Sequence, residues 1–341
     1  MKRSAEHSLY GIPCDVLGIG ISNRPLIRLL RSLGAEVSAY DAKTREALGG
    51  EAEALEELGV RVFCENLPPD RLDGEIIFRS PGVRPDLPCI RDALSRGAIL
   101  SSEMELFCRI CPAPLFGITG SDGKTTTTTL THLFLETEHK AKKQGRAYVG
   151  GNIGTPLLPS VSEMSKGDSV VVELSSFQLM TMHQSFARAA VTNLSPNHLN
   201  WHTDMEEYVS AKANILEDCA TAVLNADNEL TMRLAEKRGK DMILFSSAKT
   251  SFEEIVPPAF ENTMAIFVRD GQIHCSDGRS DTPVLALSDI LLPGRHNAEN
   301  YMTAIGLTYG LVSDETVREI AKSFRGVPHR LELVRTLDGI P

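Results

Sequence analysis

This sequence predicts an α/β fold, arranged as two domains with mostly parallel sheets and a small antiparallel layer late in the second. Three observations point there. Short apolar runs alternate with helical patterns along the chain. A glycine turn, GIGISN, follows the first apolar run. A second one, GITGSDGKTTTTT, follows a later run and opens a Thr-rich helix.

In the first half, Asp15, Val16 and Leu17 close a strand, Gly18, Gly20 and Asn23 form the turn, and residues 25–33 read as a helix with proline in its first turn. A strand over 36–40 ends at Asp41, about twenty residues past the glycines, where a Rossmann-like fold carries the acid that meets a ribose. With Asn23 in place of the third glycine, a UDP-type ligand is as well suited as NAD, and packing alone would also account for the turn. A helix over 51–58 and strands over 61–63 and 75–79 continue the alternation. The last strand runs into Ser80, Pro81 and Gly82 at the edge where open α/β sheets bind ligands, a rigid turn being the alternative. A helix over 92–96, a strand over 99–100 and a helix over 103–111 lead to Pro112 and Pro114, and a boundary near 103–114 separates domains expected over 1–104 and 105–326.

Composition narrows the function. The net charge of −10 argues against a nucleic-acid partner. Seven scattered cysteines do not form a disulfide framework, and the lone CxxC of Cys108 and Cys111 reads as one apolar helix face rather than a zinc or redox site. No apolar run is long enough to span a membrane, and the N-terminus has no apolar signal core, so a cytoplasmic protein is expected.

The second half opens on a buried strand over 115–118. Gly120, Ser121, Asp122 and Gly123 then turn the chain, and Lys124 begins a helix, so that backbone N–H groups, a helix N-terminus and a lysine face an anion. This is a P-loop-type ATPase signature in the narrower form TGxxGKTT, since Ile118 stands where the general pattern has glycine; a solvated lysine on a plain turn is the alternative. Thr125 or Thr126 offers a hydroxyl to nucleotide-bound Mg²⁺.

A polar stretch over 139–145 leads to a strand over 146–149 and to GGNIGTPLL, where Gly150, Gly151 and Gly154 admit close approach of a ligand and Asn152 offers hydrogen bonds. A strand over 169–174 carries one carboxylate, Glu173, placed to meet either a nucleotide-bound Mg²⁺ or only solvent. Ser175, Ser176, Phe177 and Gln178 follow, with Gln178 suited to a polar substrate.

A strand over 189–192 ends in a loop holding Asn193, Asn197, His198, Asn200 and His202, before a helix that begins with a Thr203–Glu206 capping box. Met205, Tyr208 and Lys212 share a face of that helix, which aims Lys212 at the core. A buried lysine loses its proton readily and can take up CO₂ as a carbamate, although spacing alone favours a snorkelling side chain. A strand over 222–224, a helix over 227–240 and a strand over 242–245 extend the pattern. Short strands over 260–268, 272–275 and 284–287, with an Asp270-Gly271 turn, supply the antiparallel layer. A helix over 297–311 starts with His296, Asn297 and Asn300 as caps or ligands, a last helix spans 315–324, and GVPHRLELV brings His329 and Arg330.

The stretches GIGISNRPL, SPGV, GITGSDGKTTTTT, GGNIGTPL, VVELSSFQL, NLSPNHLNWH, LPGRHNAEN and GVPHRLE stand in the order of the Mur ligase family, which the chain resembles; ELSSFQ and GGNIGTP resemble its D-glutamate-adding branch. The resemblance implies an ATP-dependent ligase of peptidoglycan precursor synthesis. It would join D-glutamate to the L-alanine carboxylate of UDP-N-acetylmuramoyl-L-alanine through an acyl phosphate. Gly120, Ser121, Asp122, Gly123, Lys124, Thr125 and Thr126 would hold ATP, with Asn297, His329 and Arg330 reaching the nucleotide. Thr125 and Glu173 would bind one Mg²⁺, and His198 and a carbamylated Lys212 a second. Asn152, Ser175 and Gln178 would line the muramoyl-alanine channel, and Ser22, Asp41 and Ser80 would anchor the uridine diphosphate.

Asn197 and Asn200 depart from the family, which usually has Asp at the first and often at the second. The resemblance also implies that 327–341 begin a third domain, so that a monomeric chain of this extent is expected to be inactive alone. A ligase adding another amino acid to a muropeptide, a folate glutamate ligase and a nucleotide-sugar binding module are the alternatives.

Overall fold

The computed structural model of the chain describes residues 9–327, so His329 and Arg330 lie outside the described residues. The chain forms two compact units, one reaching Cys111 and including the segment Thr155–Glu163, the other comprising Pro112–Gly154 and the chain from Met164 onward.

The first unit alternates β1 (Pro13–Leu17), α1 (Asn23–Ser32), β2 (Glu36–Tyr40), α2 (Arg45–Leu48), α3 (Glu51–Glu57), β3 (Arg61–Phe63), β4 (Ile76–Arg79), α4 (Pro88–Ser95), β5 (Ile99–Ser101) and α5 (Glu103–Ile110). Its five strands are all parallel in the order β3-β2-β1-β4-β5. Strand order reverses beside β1, which places the turn after it where open sheets take ligands. α1 buries Leu26, Ile27 and Leu30 on one face, while Ser102 caps α5 by accepting from Glu105 N at 3.2 Å. A 3₁₀ turn, Leu158–Glu163, packs on α1 and α5.

The second unit continues with β6 (Leu115–Thr119), α6 (Lys124–Lys142), β7 (Ala147–Gly151), β8 (Ser169–Glu173), α7 (Ser176–Leu179), β9 (Ser185–Val191), α8 (Met205–Ala213), β10 (Asp218–Asn225), α9 (Glu229–Arg238), β11 (Lys240–Ser246), α10 (Phe252–Ile255), β12 (Glu261–Arg269), β13 (Gln272–Ser276), β14 (Asp281–Ala286), α11 (Arg295–Thr308) and α12 (Asp314–Ser323). Its nine strands run β14-β13-β12-β11-β10-β9-β6-β8-β7, parallel except for the β12-β13 and β13-β14 pairs. The antiparallel pair turns at Asp270 (φ 49°) and Gly271 (φ 72°), successive left-handed residues that match the twist of a tight hairpin. β6 and β8 are buried along their whole length, as parallel strands covered on both faces must be. Among the residues that fill the core are Phe116, Ile118, Leu130, Phe134, Tyr301, Met302 and Ile305, contributed by β6, α6 and α11.

Two local expectations are corrected. α6 runs through the polar stretch to Lys142, because Glu136–Lys140 and Glu138–Lys142 pairs support its last turns and Lys143 closes it in the left-handed conformation. α8 is capped by Asp204, not Thr203: Asp204 accepts from Glu207 N at 2.8 Å, and Glu207 accepts from Thr203 N at 2.9 Å. The reciprocal bonding thus sits one residue later than the Thr203–Glu206 pattern.

Candidate functional site

In the first unit, Gly18, Asp41 and Ser80 meet at the C-terminal ends of β1, β2 and β4. Gly18 has φ 92°, and a Cβ there would lie 2.4 Å from Ser80 Oγ, so only glycine fits. Asn23 donates to Gly18 O at 2.8 Å and to Ser80 Oγ at 3.0 Å. Both Asp41 carboxylate oxygens accept backbone N–H groups, from Ile19 at 2.6 Å and from Lys43 at 2.9 Å. Ser22 precedes α1 without capping it through its side chain.

In the second unit, the turn after β6 is built around two glycines. Gly120 (φ 148°) is closed in by Thr192, and Gly123 (φ 78°) by Asn300, whose Oδ1 would stand 2.4 Å from an added Cβ. The side chains between them hold the loop open. Ser121 Oγ donates to Ser195 O at 3.0 Å, accepts from Ser195 N at 2.9 Å and lies 2.9 Å from the Tyr208 hydroxyl. Asp122 N donates to Asn193 Oδ1 at 2.9 Å, and Asp122 O accepts from Thr192 Oγ1 at 2.6 Å. Lys124 opens α6 and donates to Ser121 O at 2.9 Å. Thr126 lies in the same first turn.

Two buried oxygens around this loop have no partner among the described residues: Thr125 Oγ1 and Glu173 Oε2. The other Glu173 oxygen accepts from Asn152 Nδ2 at 3.0 Å. Glu173 pairs with Ile118 across β6 and β8, and Leu174 O accepts from Thr119 Oγ1, which brings the carboxylate to the base of the loop. A hydroxyl and a carboxylate oxygen, both hard and both unsatisfied, are the donor chemistry that Mg²⁺ takes while nucleotide phosphates and water complete its shell. Among the described residues no group of three or more His, Cys, Asp or Glu gathers into a self-sufficient metal cage.

Lys212 does not snorkel. It is 2% exposed, and its Nζ donates to Gly120 O at 2.8 Å and Thr119 Oγ1 at 3.2 Å. Burial and then the charge of Lys124 push its pKa down to about 7, against the opposing pull of Glu173 and Asp122. His198 sits in the left-handed conformation (φ 54°) with its ring edge against Phe177 at 5.0 Å. Desolvation, then the charges of Lys212 and Lys124, hold its imidazole below the ordinary histidine range. Lys124, Glu173, His198 and Lys212 therefore occupy one electrostatic neighbourhood.

Ser175 and Gln178 cap α7 reciprocally: Gln178 Oε1 accepts from Ser175 N and Oγ, each at 3.0 Å, and Ser175 Oγ accepts from Gln178 N at 3.3 Å. Asn297 is buried at the start of α11, donating to Pro293 O at 2.7 Å, and is linked through Asn300 to Thr127. Sequence reading missed Thr119 and Thr192; a threonine ending each apolar strand was the available signal. Tyr208 was placed on the Lys212 face, but its contact with Ser121 spans 87 residues and had no local sign.

The Mur ligase middle domain family model matches residues 118–308, more than half of the chain. A UDP-N-acetylmuramoylalanine–D-glutamate ligase of Ruminiclostridium cellulolyticum is 43% identical over 332 residues, covering 95% of this chain and 67% of that protein. Proteins of the same name from Clostridium novyi (45% over 329 residues, 95% of this chain and 68% of theirs) and Clostridium kluyveri (44% over 348 residues, 100% and 71%) are similar too. Among solved structures, the UDP-N-acetylmuramate:L-alanyl-gamma-D-glutamyl-meso-diaminopimelate ligase of Neisseria meningitides shares the fold, with TM-score 0.56 at 18% identity over 93% of this chain and 99% of that one. On the family match and the extent of these identities, the chain belongs to the Mur ligase family.

Proposed function

We infer that this chain is the catalytic part of an ATP-dependent ligase that joins D-glutamate to the L-alanine carboxylate of UDP-N-acetylmuramoyl-L-alanine. The observation that carries the reading is the pair of orphaned buried oxygens, Thr125 Oγ1 and Glu173 Oε2, around the Lys124 loop in a chain whose relatives are D-glutamate ligases.

A free carboxylate has a poor leaving group, and phosphorylation supplies a good one. The L-alanine carboxylate would attack the γ-phosphorus of ATP, forming an acyl phosphate and releasing ADP. The amine of D-glutamate would then displace phosphate to form the amide. Most of the acceleration in such a transfer is positioning and neutralisation of phosphate charge. The turn over Gly120–Thr126, in which Ser121 N and Asp122 N are already committed to Asn193, would cradle the phosphates through its other N–H groups and the Lys124 ammonium, and Asn297 would reach the nucleotide, as would His329 and Arg330 beyond the described residues. Ser22, Asp41 and Ser80 would take the uridine diphosphate; Asn152, Ser175 and Gln178 the muramoyl-alanine.

Thr125 and Glu173 would hold one Mg²⁺, and His198 and Lys212 a second. Bound there, Mg²⁺ would offset charge on the phosphoryl oxygens. With its pKa near 7, Lys212 has a neutral amine fraction at neutral pH. That amine can attack CO₂, forming a C–N bond and releasing one proton to solvent, and so replace a cation with a carbamate oxygen donor.

Calorimetry with UDP-N-acetylmuramoyl-L-alanine, competed by unextended UDP-N-acetylmuramate and by the D-glutamyl product, tests the acceptor. Preference for the L-alanyl form is expected. Equal binding of the unextended form, or ADP release independent of D-glutamate, would overturn the assignment.

A further inference from the structure

Behind His198 lies a second histidine that the ligase reading leaves without a role. His202 is 2% exposed; its Nδ1 lies 3.1 Å from Glu207 Oε2 and its Nε2 2.9 Å from Ser176 Oγ. A carboxylate only accepts, so Nδ1–H donates to Glu207, and in the neutral ring the Nε2 lone pair takes the Ser176 hydroxyl hydrogen. The order hydroxyl, imidazole, carboxylate is that of a hydrolytic triad, but Ser176 is 1% exposed and cannot reach a substrate. The relay has a different geometry of use. Ser176 begins α7, three residues after Glu173; Glu207 sits on α8, which carries Tyr208 and Lys212; and His202 itself ends the His198 loop.

His202 also holds His198 twice. Its backbone N–H donates to His198 O at 3.0 Å, fixing the turn that keeps His198 left-handed. Its ring stacks on Phe177 at 5.6 Å and 22°, and Phe177 in turn meets the His198 ring edge-on, with centroids 5.0 Å apart and planes at 60°. Trp201 and Tyr208 close the cluster against the His202 ring at 4.8 and 5.3 Å.

We propose that His202 is a positioning residue: through Ser176, Glu207 and Phe177 it locks the His198 ring relative to Glu173 and Lys212. The proposal rests on the ligase reading for its purpose, but its first test needs no turnover. In chain carrying ¹³C-labelled histidine, the His198 ring signal is assigned by its loss in His198→Gln. In His202→Gln and in Ser176→Ala that signal moves toward the position of a solvent-exposed histidine or splits. In the ligation assay both variants lose kcat by about 10- to 100-fold while KM for ATP changes by less than about two-fold, the size expected for loss of a ligand-orienting group. Restoring one ring-like donor with His202→Asn recovers part of the loss. Ser176→Ala removes a single oxygen and decides the matter if His202→Gln does not fold. An unchanged His198 signal in folded Ser176→Ala, with or without a lower melting temperature, marks a packing role and overturns the proposal. Turnover is read in the full-length enzyme, where absence of ligation before any substitution would instead count against the ligase reading and leave the ring signal to decide this one.

Discussion

The two parallel sheets end in glycine turns of the same kind, yet their polar groups are treated in opposite ways. At the edge of the first sheet Asp41 spends both carboxylate oxygens on the backbone of its own unit, and Asn23 ties Gly18 to Ser80. At the edge of the second, Glu173 and Thr125 each bury an oxygen without a partner among the described residues, and Lys212 is sealed in with its Nζ on a carbonyl and a hydroxyl and over the Tyr208 ring. The first edge is complete as folded. The second leaves two acceptor oxygens and a buried lysine for a cation and an anion to satisfy, the pattern expected of the phosphate site proposed above.

The largest effect should come from the most exceptional group. In the full-length enzyme, Lys212→Ala is expected to lower ligation by about 10²- to 10³-fold, the loss seen when one preorganised charge is taken from a transition state. Short carboxylic acids should restore part of it by supplying the missing oxygen donor. Wild-type turnover in the unrescued variant would remove the carbamate and the contrast between the two edges with it.

Glu103 is an exception in the first unit and sharpens the rule. Burial pushes its carboxyl up to about 7, one oxygen lacks a partner, and the backbone N–H of Leu158 opposes the shift only weakly. Its pKa is higher folded than unfolded, so the folded state binds the extra proton between those values and stability falls as pH rises from about 4.5 to 7. Glu103→Gln should therefore be more stable than the parent at pH 8 by about 3 kcal/mol, with the gain vanishing below pH 4. Melting curves across that range check it; a pH-independent difference would show that this carboxylate finds a partner.

Paired substitutions at the two edges should differ in sign. Glu173→Gln keeps the bond from Asn152 while removing a buried charge, and should raise stability without nucleotide or metal by about 1–2 kcal/mol while weakening Mg²⁺-dependent ATP binding. Asp41→Asn turns one acceptor into a donor facing a backbone N–H, and should lower stability by about 1–3 kcal/mol. Denaturant unfolding of both variants, with titration of ATP and Mg²⁺, reads the two signs; matching signs would mean that the edges do not differ as their hydrogen bonds indicate.

Much of this was legible in the sequence because it is local. Strand and glycine spacing located both turns, the apolar run VVVEL isolated Glu173, and helical periodicity put Lys212 on the core face, although spacing alone favoured a snorkelling side chain. What spacing could not supply was the partners. Lys212 meets Thr119 and Gly120 from more than ninety residues away, and the full length of α6 depends on Glu138, whose carboxylate also receives Ser313 and Thr316. The segment Thr155–Glu163, read as part of the second domain, groups with the first unit through packing on α1 and α5 that no local pattern encodes.

The smallest effect tests the finest local disagreement. A Thr followed three residues later by Glu made Thr203 the expected cap of α8, but Asp204 is the residue whose side chain takes the Glu207 N–H, and Thr203 contributes its backbone to Glu207. Asp is at least as good a cap as Thr and places a negative charge at the helix N-terminus, so the frame that uses it wins. Asp204→Ala should lower stability by about 1 kcal/mol, whereas Thr203→Ala should stay within about 0.5 kcal/mol because its backbone bond survives. Equal losses in denaturant unfolding would place the cap back at Thr203. Because Glu207 also holds His202, the shift by one residue decides which glutamate faces the His198 loop: Glu206→Gln should leave the His198 ring signal in place, and Glu207→Gln should move it.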